Sequence, residues 1–178
     1  DKDDIVRENV AENPKTGSLT LEEMAEHDAV IDVKLAALGN PNIPTRVIHR
    51  MAAGTGKRVR ETIAGNISTP KTILMKSARD RDTNVAYNVA CNPNVPREAL
   101  TILAERRNIG ILVAVVRNKN TPEEALAKLA RNNNRNLRLL IAEHENTSRE
   151  TLEFLLLKAV KEADQKLAET VRLALAKQ

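Results

Sequence analysis

The sequence predicts an all-α solenoid of about five and a half two-helix repeats, each 26 residues long. Three observations predict it. A short motif recurs at a nearly constant period. Each period carries two apolar patterns with helical spacing. The chain is also almost free of rings, with a single Phe (Phe154), a single Tyr (Tyr87) and no Trp. A core without large rings must be assembled from Leu, Ile, Val and Ala, which suits many small layers. At 178 residues, 42% apolar and 29% charged, the chain has the length of one domain and enough apolar material for a sizeable core.

The period is read from its anchors, Asn13, Asn40, Asn66, Asn92, Asn118 and His144, the first pair 27 residues apart and the rest 26. Asn-Pro-Asn-Ile-Pro at 40–44 returns as Asn-Pro-Asn-Val-Pro at 92–96, and Pro44, Pro70, Pro96 and Pro122 hold one place in successive units. Self-similarity at such a period marks a tandem array. With the anchor as place 1, residues 1–12 fit the second half of a repeat, and full units follow at 13–39, 40–65, 66–91, 92–117 and 118–143. A lengthened terminal unit, 144–178, closes the single domain.

Within each unit, places 9, 12 and 13 are apolar or small: Ile48/Met51/Ala52, Leu74/Ser77/Ala78, Leu100/Leu103/Ala104 and Leu126/Leu129/Ala130. That i, i+3, i+4 pattern is one face of a helix. Places 20, 24 and 25 form a second face, in Val59/Ile63/Ala64, Val85/Val89/Ala90, Ile111/Val115/Val116 and Leu137/Ile141/Ala142. The second helix spans only about two turns, short enough to be partly 3₁₀.

The prolines suit the first helical position, where a missing N–H costs nothing. Thr121 with Glu124, and Thr147 with Glu150, have capping-box spacing. The anchor Asn follows the second helix, where two structural roles are open to it. It can end the helix in the left-handed conformation, or its side chain can bridge neighbouring repeats as a ladder. The unit 13–39 carries one extra residue near His27–Asp32, and the terminal unit about eight, because Val171-Arg172 matches Val59-Arg60 only after a gap. The half repeat at the start reads as a truncation or cleavage point at Asp1.

The pattern Asn-Pro-Asn-x-Pro-x-Glu-x-Leu-x-x-Leu-Ala, best seen at 92–104, followed by Val-Arg-x-x-Ile-Ala at 59–64, resembles the leucine-rich repeat variant family. The resemblance covers nearly the whole chain and gains its specificity from repetition. It implies a right-handed, broadly HEAT-like superhelix of paired helices and transfers no catalytic residues. The iron–sulfur segment of some relatives needs several cysteines, so with Cys91 alone no cofactor is implied.

Chemistry finds little support. His27, His49 and His144 occupy different places and do not converge in a stack, so neither metal binding nor catalysis is expected of them. One cysteine excludes a disulfide within the chain and any four-cysteine site, and points to a reducing, cytoplasmic setting. Gly54-Thr55-Gly56-Lys57-Arg58 has the look of a phosphate loop but lacks its first glycine, its Ser/Thr and its strand, and reads as an inter-helix turn. Glu22/Glu23 and Glu123/Glu124 fall early in first helices, where the dipole favours acids. No run is long and apolar enough to span a membrane.

Charge is more informative. The net +4 divides into −6 over residues 1–40, +11 over 41–140 and −1 over 141–178. Arg50, Lys76 and Lys128 share place 11; Arg79 and Arg131 share place 14; Lys57, Arg81, Arg106, Arg107 and Arg135 fall at places 15 to 18. Stacking would align them as a ribbon about 40 Å long, at roughly 10 Å per helix layer. It is either an ordinary solvated face or a surface for an anionic partner. At places 21–23, Leu112, Val113, Leu139 and Leu140, with Tyr87 one unit earlier, form an apolar patch. That patch is either a protein interface, a second copy included, or is covered by the lengthened terminal unit.

The sequence therefore reads as a non-catalytic binding scaffold for another protein with an acidic segment. Sequence-independent binding of a nucleic-acid backbone is the alternative, since reading single-stranded bases usually needs aromatic rings. A third reading makes the array an accessory to an activity upstream of Asp1.

Overall fold

In each middle repeat a seven-residue first helix and a nine-residue second helix follow one another, joined by short turns. The computed structural model describes residues 2–53 and 56–177. All helices among the described residues are α, thirteen in number, and no strand occurs among them. The contacts gather into two units, Asp1–Val95 and Pro96–Gln178.

The first unit holds α1 (Asp4–Glu12), α2 (Ser18–His27), α3 (Ile31–Gly39), α4 (Thr45–Met51), α5 (Lys57–Gly65), α6 (Lys71–Ser77) and α7 (Thr83–Cys91). Here α1, α3, α5 and α7 stack each on the next, while α2 packs on α3, and α6 on α5 and α7. The second unit holds α8 (Arg97–Leu103), α9 (Ile109–Arg117), α10 (Glu123–Leu129), α11 (Arg135–Glu143), α12 (Arg149–Lys161) and α13 (Gln165–Leu175). Within it α9, α11 and α13 stack in turn, with α8 on α9, α10 on α11 and α12 on α13. In both units the second helices therefore form the tight layer.

The apolar register read from the sequence is the core. Ile48, Leu74, Leu100 and Leu126, all at place 9, are fully buried, and each such side chain stabilises by about 1.5–3 kcal/mol. Places 20, 24 and 25 are buried throughout the middle repeats. In the half repeat only Ala11 is enclosed; Val6 and Val10 remain about 40% exposed.

Local capping differs from expectation at three points. Pro44, Pro70, Pro96 and Pro122 sit at the N-cap, one residue ahead of the first helical position. The Pro44 carbonyl accepts from the N–H groups of both Val47 and Ile48, at 2.9 and 3.3 Å, so the ring leads into the helix and removes no helical donor. Thr121 and Thr147 form no capping box: their hydroxyls donate to the carbonyls of Val115 and Ile141, each at 2.5 Å, and Ser148 caps α12. Second helices are capped instead by the side chains of Asp82, Asn108 and Asn134. They are also α rather than 3₁₀, and longer than the first helices.

The anchor asparagines settle between their two roles. Asn40, Asn66 and Asn92 have φ near −70° with extended ψ, so none ends its helix left-handed. Each instead forms a rung. Asn66 Nδ2 donates to the carbonyls of Leu38 (2.6 Å) and Asn40 (3.0 Å), and Asn92 Nδ2 to those of Ala64 and Asn66, both at 2.9 Å. The final carbonyls of a second helix lack partners within it, and the next repeat supplies them.

The terminal unit is lengthened by four residues, not about eight. Asp164 caps α13 as Asn134 caps α11, 30 residues later instead of 26, and Leu167, Ala168 and Val171 are buried at the corresponding places. The extra length lies in the 13-residue α12. That helix closes on Ala163 at φ 55°, the one non-glycine residue with positive φ among those described. The N–H of Asp164 donates to Ala159 O at 2.8 Å and that of Ala163 to Val160 O at 3.2 Å, the Schellman pattern.

Candidate protein-binding surface

The ten cations of the expected ribbon have different surroundings. On α4, Arg50 donates to Glu26 at 2.7 Å and to Glu22 at 2.6 Å, and Arg46 also binds Glu22. These acids stand one repeat earlier, on α2. The Arg46 and Arg50 hydrogen bonds hold the Glu22 carboxyl below its ordinary range; Glu22 lies in no first turn and acts through this clamp. Lys57 bridges Asp82 (3.2 Å) and Glu61 (3.5 Å), and the Asp82 hydrogen bond raises its ammonium. In the second unit Lys128 meets Glu105 at 2.6 Å. Arg135 grips Asp164 through two hydrogen bonds of 2.6 and 2.8 Å, which raises the guanidinium and lowers the carboxyl. Arg131 lies 5.8 Å from the centre of the Phe154 ring, a cation–π distance. Arg106 is partly buried and already engaged.

Lys76, Arg79, Arg81 and Arg107 remain exposed and without an acidic partner among the described residues. Three of them, Lys76, Arg79 and Arg81, line one groove of about 580 Å³ in the first unit. Its floor is apolar, made by Ala52 and Ala53 at the end of α4, Ile63 of α5 and Ile73 of α6. Its wall includes Asp80, but that carboxylate is already bound by Arg60 at 2.7 Å. Burial works to raise Asp80, and the Arg60 and Asp82 N–H hydrogen bonds outweigh it, so the carboxyl is held low.

Arg60 exemplifies a device that composition did not disclose. Arg7, Arg60 and Arg138 hold place 21 of separate repeats and reach the turn of the following one, at Asp28 (2.7 Å), Asp80 (2.7 Å) and Glu162 (2.5 Å). Recurrent Arg at place 21 was a visible signal; its acidic partners, 20 to 24 residues on, each stand two residues before the N-cap of the next second helix, but the extra residues of the first and last units shift their count from the anchor.

Of the expected apolar patch only Leu112 is fully enclosed. Leu112 is 3% exposed because second helices stack at this place, as Ala86 and Arg138 also show. Val113, Leu139 and Leu140 are partly buried, with α13 packed on α11. Tyr87, in the other unit, is 45% exposed and engaged.

His27 and His49 are exposed, while His144 bonds within the ladder. No three His, Cys, Asp or Glu side chains among the described residues gather to hold a metal ion. Cys91 is exposed. Of the phosphate-loop look-alike, Gly54 and Thr55 lie outside the described residues, and Gly56 precedes α5 as its N-cap. No helix among the described residues is long and apolar enough to cross a membrane.

No protein-family model and no curated protein matches the chain. Among solved structures it is similar to a leucine-rich repeat variant with a novel repetitive structural motif, at 26% identity and a TM-score of 0.64. That likeness covers 99% of this chain, which spans 66% of the other's length. Fainter likenesses run to computationally designed armadillo repeat proteins for modular peptide recognition (15% identity, TM-score 0.39, covering 97% of this chain and 91% of that one). A second designed armadillo repeat protein is similar at 14% identity and TM-score 0.37, covering 99% of this chain and 94% of that one. Paired helices and a likeness along the whole chain make it an all-α repeat protein of the solenoid class, similar to a leucine-rich repeat variant.

Proposed function

We propose that the chain is a non-catalytic binding scaffold, its two units serving as one binding domain for another protein that presents an acidic segment. The observation that supports this reading is the uneven pairing of the cations. Acids of residues 1–40 neutralise Arg46, Arg50 and Arg58, yet Lys76, Arg79 and Arg81 line one groove without an acidic partner among the described residues. Unpaired like charges repel one another and lower stability slightly, so an anionic partner gains by meeting them. The single exposed thiol fits a reducing, cytoplasmic setting.

Nucleic-acid binding is the weaker reading. A protein that engages Z phosphates shows a salt slope near −0.9Z, so the three cations of the groove give only about −2.7. The apolar floor would also contribute nothing to a phosphate backbone.

The test is fluorescence anisotropy at about 0.15 M salt, with a Glu/Asp-rich peptide, a Lys-rich peptide and a DNA duplex. The acidic peptide should bind, and the triple variant Lys76→Glu/Arg79→Glu/Arg81→Glu should lose it while melting as the wild type does. Equal affinity for the acidic and basic peptides would remove this reading. Duplex binding with a slope near −4.5, about five phosphates, would replace it with the nucleic-acid one.

A further inference from the structure

We infer that the groove bounded by α4, α5 and α6 seats an acidic segment carrying an aliphatic side chain beside its carboxylates, an inference that rests on the acidic-partner reading above. Two features of the groove are independent of each other: a charged rim and an apolar floor.

Among the described residues the rim, Lys76, Arg79 and Arg81, has no acid of its own to answer it, because Asp80 is bound by Arg60. Carboxylates are complementary to it. The floor follows from a local departure in the repeat. At place 14 the following units carry the long side chains Arg79, Glu105 and Arg131, whereas this unit carries Ala53. With nothing longer than a methyl there, Ala52, Ala53, Ile63 and Ile73 are left lining an opening of about 580 Å³, within the roughly 300–1,000 Å³ of ordinary ligand sites. Carboxylates alone have no use for such a floor. An aliphatic side chain entering it leaves water, while neighbouring acidic residues remain on the rim, where the cations stay solvated.

The preference is therefore for a hydrophobic residue within an acidic frame, not for negative charge alone. None of the three cations needs a fixed hydrogen-bond geometry, since Lys76, Arg79 and Arg81 are all exposed.

Two peptides separate the two levels of this reading: a labelled Asp/Glu peptide with one central Leu, and the same peptide with Ser there. The Leu peptide should bind about tenfold tighter or more, the worth of one buried aliphatic side chain. Ala53→Gln places a long side chain where the next repeats have one, without adding a charge. It should bring the Leu peptide down to the Ser level and leave the Ser peptide unchanged. Thr72→Trp, on the exposed start of α6 at the groove wall, should do the same should Ala53→Gln alter the melting curve. Lys76→Glu with Arg79→Glu should weaken both peptides by about tenfold or more. Equal binding of the Leu and Ser peptides, or no effect of either filling variant, overturns the inference and leaves the acidic-partner reading standing. If neither peptide binds better than a Lys-rich control, both fall together.

Discussion

The imidazole of His144 replaces an asparagine amide against Asn118. Its Nε2 lies 3.1 Å from the Asn118 carbonyl, and its Nδ1 accepts the Asn146 N–H at 3.0 Å. Two repeats earlier, Asn92 Nδ2 donates to the Asn66 carbonyl at 2.9 Å and Asn92 Oδ1 accepts the Asn94 N–H at 2.9 Å. The two residues share a donor to the preceding anchor and an acceptor for the N–H two residues on; the amide adds a second donated bond, to Ala64 at 2.9 Å. The two His144 bonds assign the tautomer with hydrogen on Nε2.

His144→Asn should accordingly leave the thermal midpoint close to that of the wild type. His144→Leu keeps the bulk but removes both bonds and should cost about 1–3 kcal/mol in urea unfolding. Equal losses for Asn and Leu would show that the ring packs and does not bridge.

The ladder also predicts a position effect. Asn66 is buried and makes three hydrogen bonds, two given and one accepted from the Ser68 N–H at 2.7 Å. Asn66→Ala should cost about 2–4 kcal/mol and Asn66→Asp more, since a carboxylate would face two carbonyl oxygens. The exposed Asn13 side chain accepts from the Lys15 N–H at 2.9 Å, while the bond from Asn40 Nδ2 goes to the Asn13 backbone carbonyl, which alanine keeps, so Asn13→Ala should change stability by less than about 1 kcal/mol. Chemical denaturation of the three variants checks the order.

At the close of α12, Ala163 holds φ 55°, a conformation that costs an L-residue about 1–2 kcal/mol. Ala163→Gly relieves it but adds freedom to the unfolded chain. A net gain of about 0.5–1 kcal/mol is expected, visible as a raised thermal midpoint. No gain would mean that the Ala163 methyl contributes packing that glycine loses.

Acid should loosen the last repeat. The Arg135 hydrogen bond and the Leu167 N–H hold the Asp164 carboxyl below its ordinary value. A carboxyl lowered by folding contributes stability above its unfolded value near 3.9 and loses it as pH falls through the lower folded one. Between pH 5 and 2 the urea midpoint should drop, and Asp164→Asn should flatten that drop while starting lower at pH 7. A parallel pH curve for the variant would exclude Asp164 from the transition.

The register itself is testable at adjacent residues. Leu100 is fully buried and Thr101 exposed. Leu100→Ala should cost about 2–5 kcal/mol and Thr101→Ala nearly nothing. Comparable losses at both would displace the helical face assigned to α8.

What the sequence by itself determined is what repeats along the chain. The anchor spacing, the two apolar faces and the proline starts follow from residues close in sequence, because a helix joins places three and four apart whatever surrounds it. Ile48, Leu74, Leu100 and Leu126 were legible as core for that reason. Tertiary structure decided everything that depends on a partner in another repeat. The ladder role of Asn66, the clamp of Arg50 by Glu22 and Glu26, and the enclosure of Leu112 all involve groups on different helices, and sequence place alone does not say which side chains meet there. The groove was hidden for the same reason. Its cations carried a signal, but Ala53 at place 14 mattered through what it failed to fill, and an unfilled volume exists only once α4, α5 and α6 have packed.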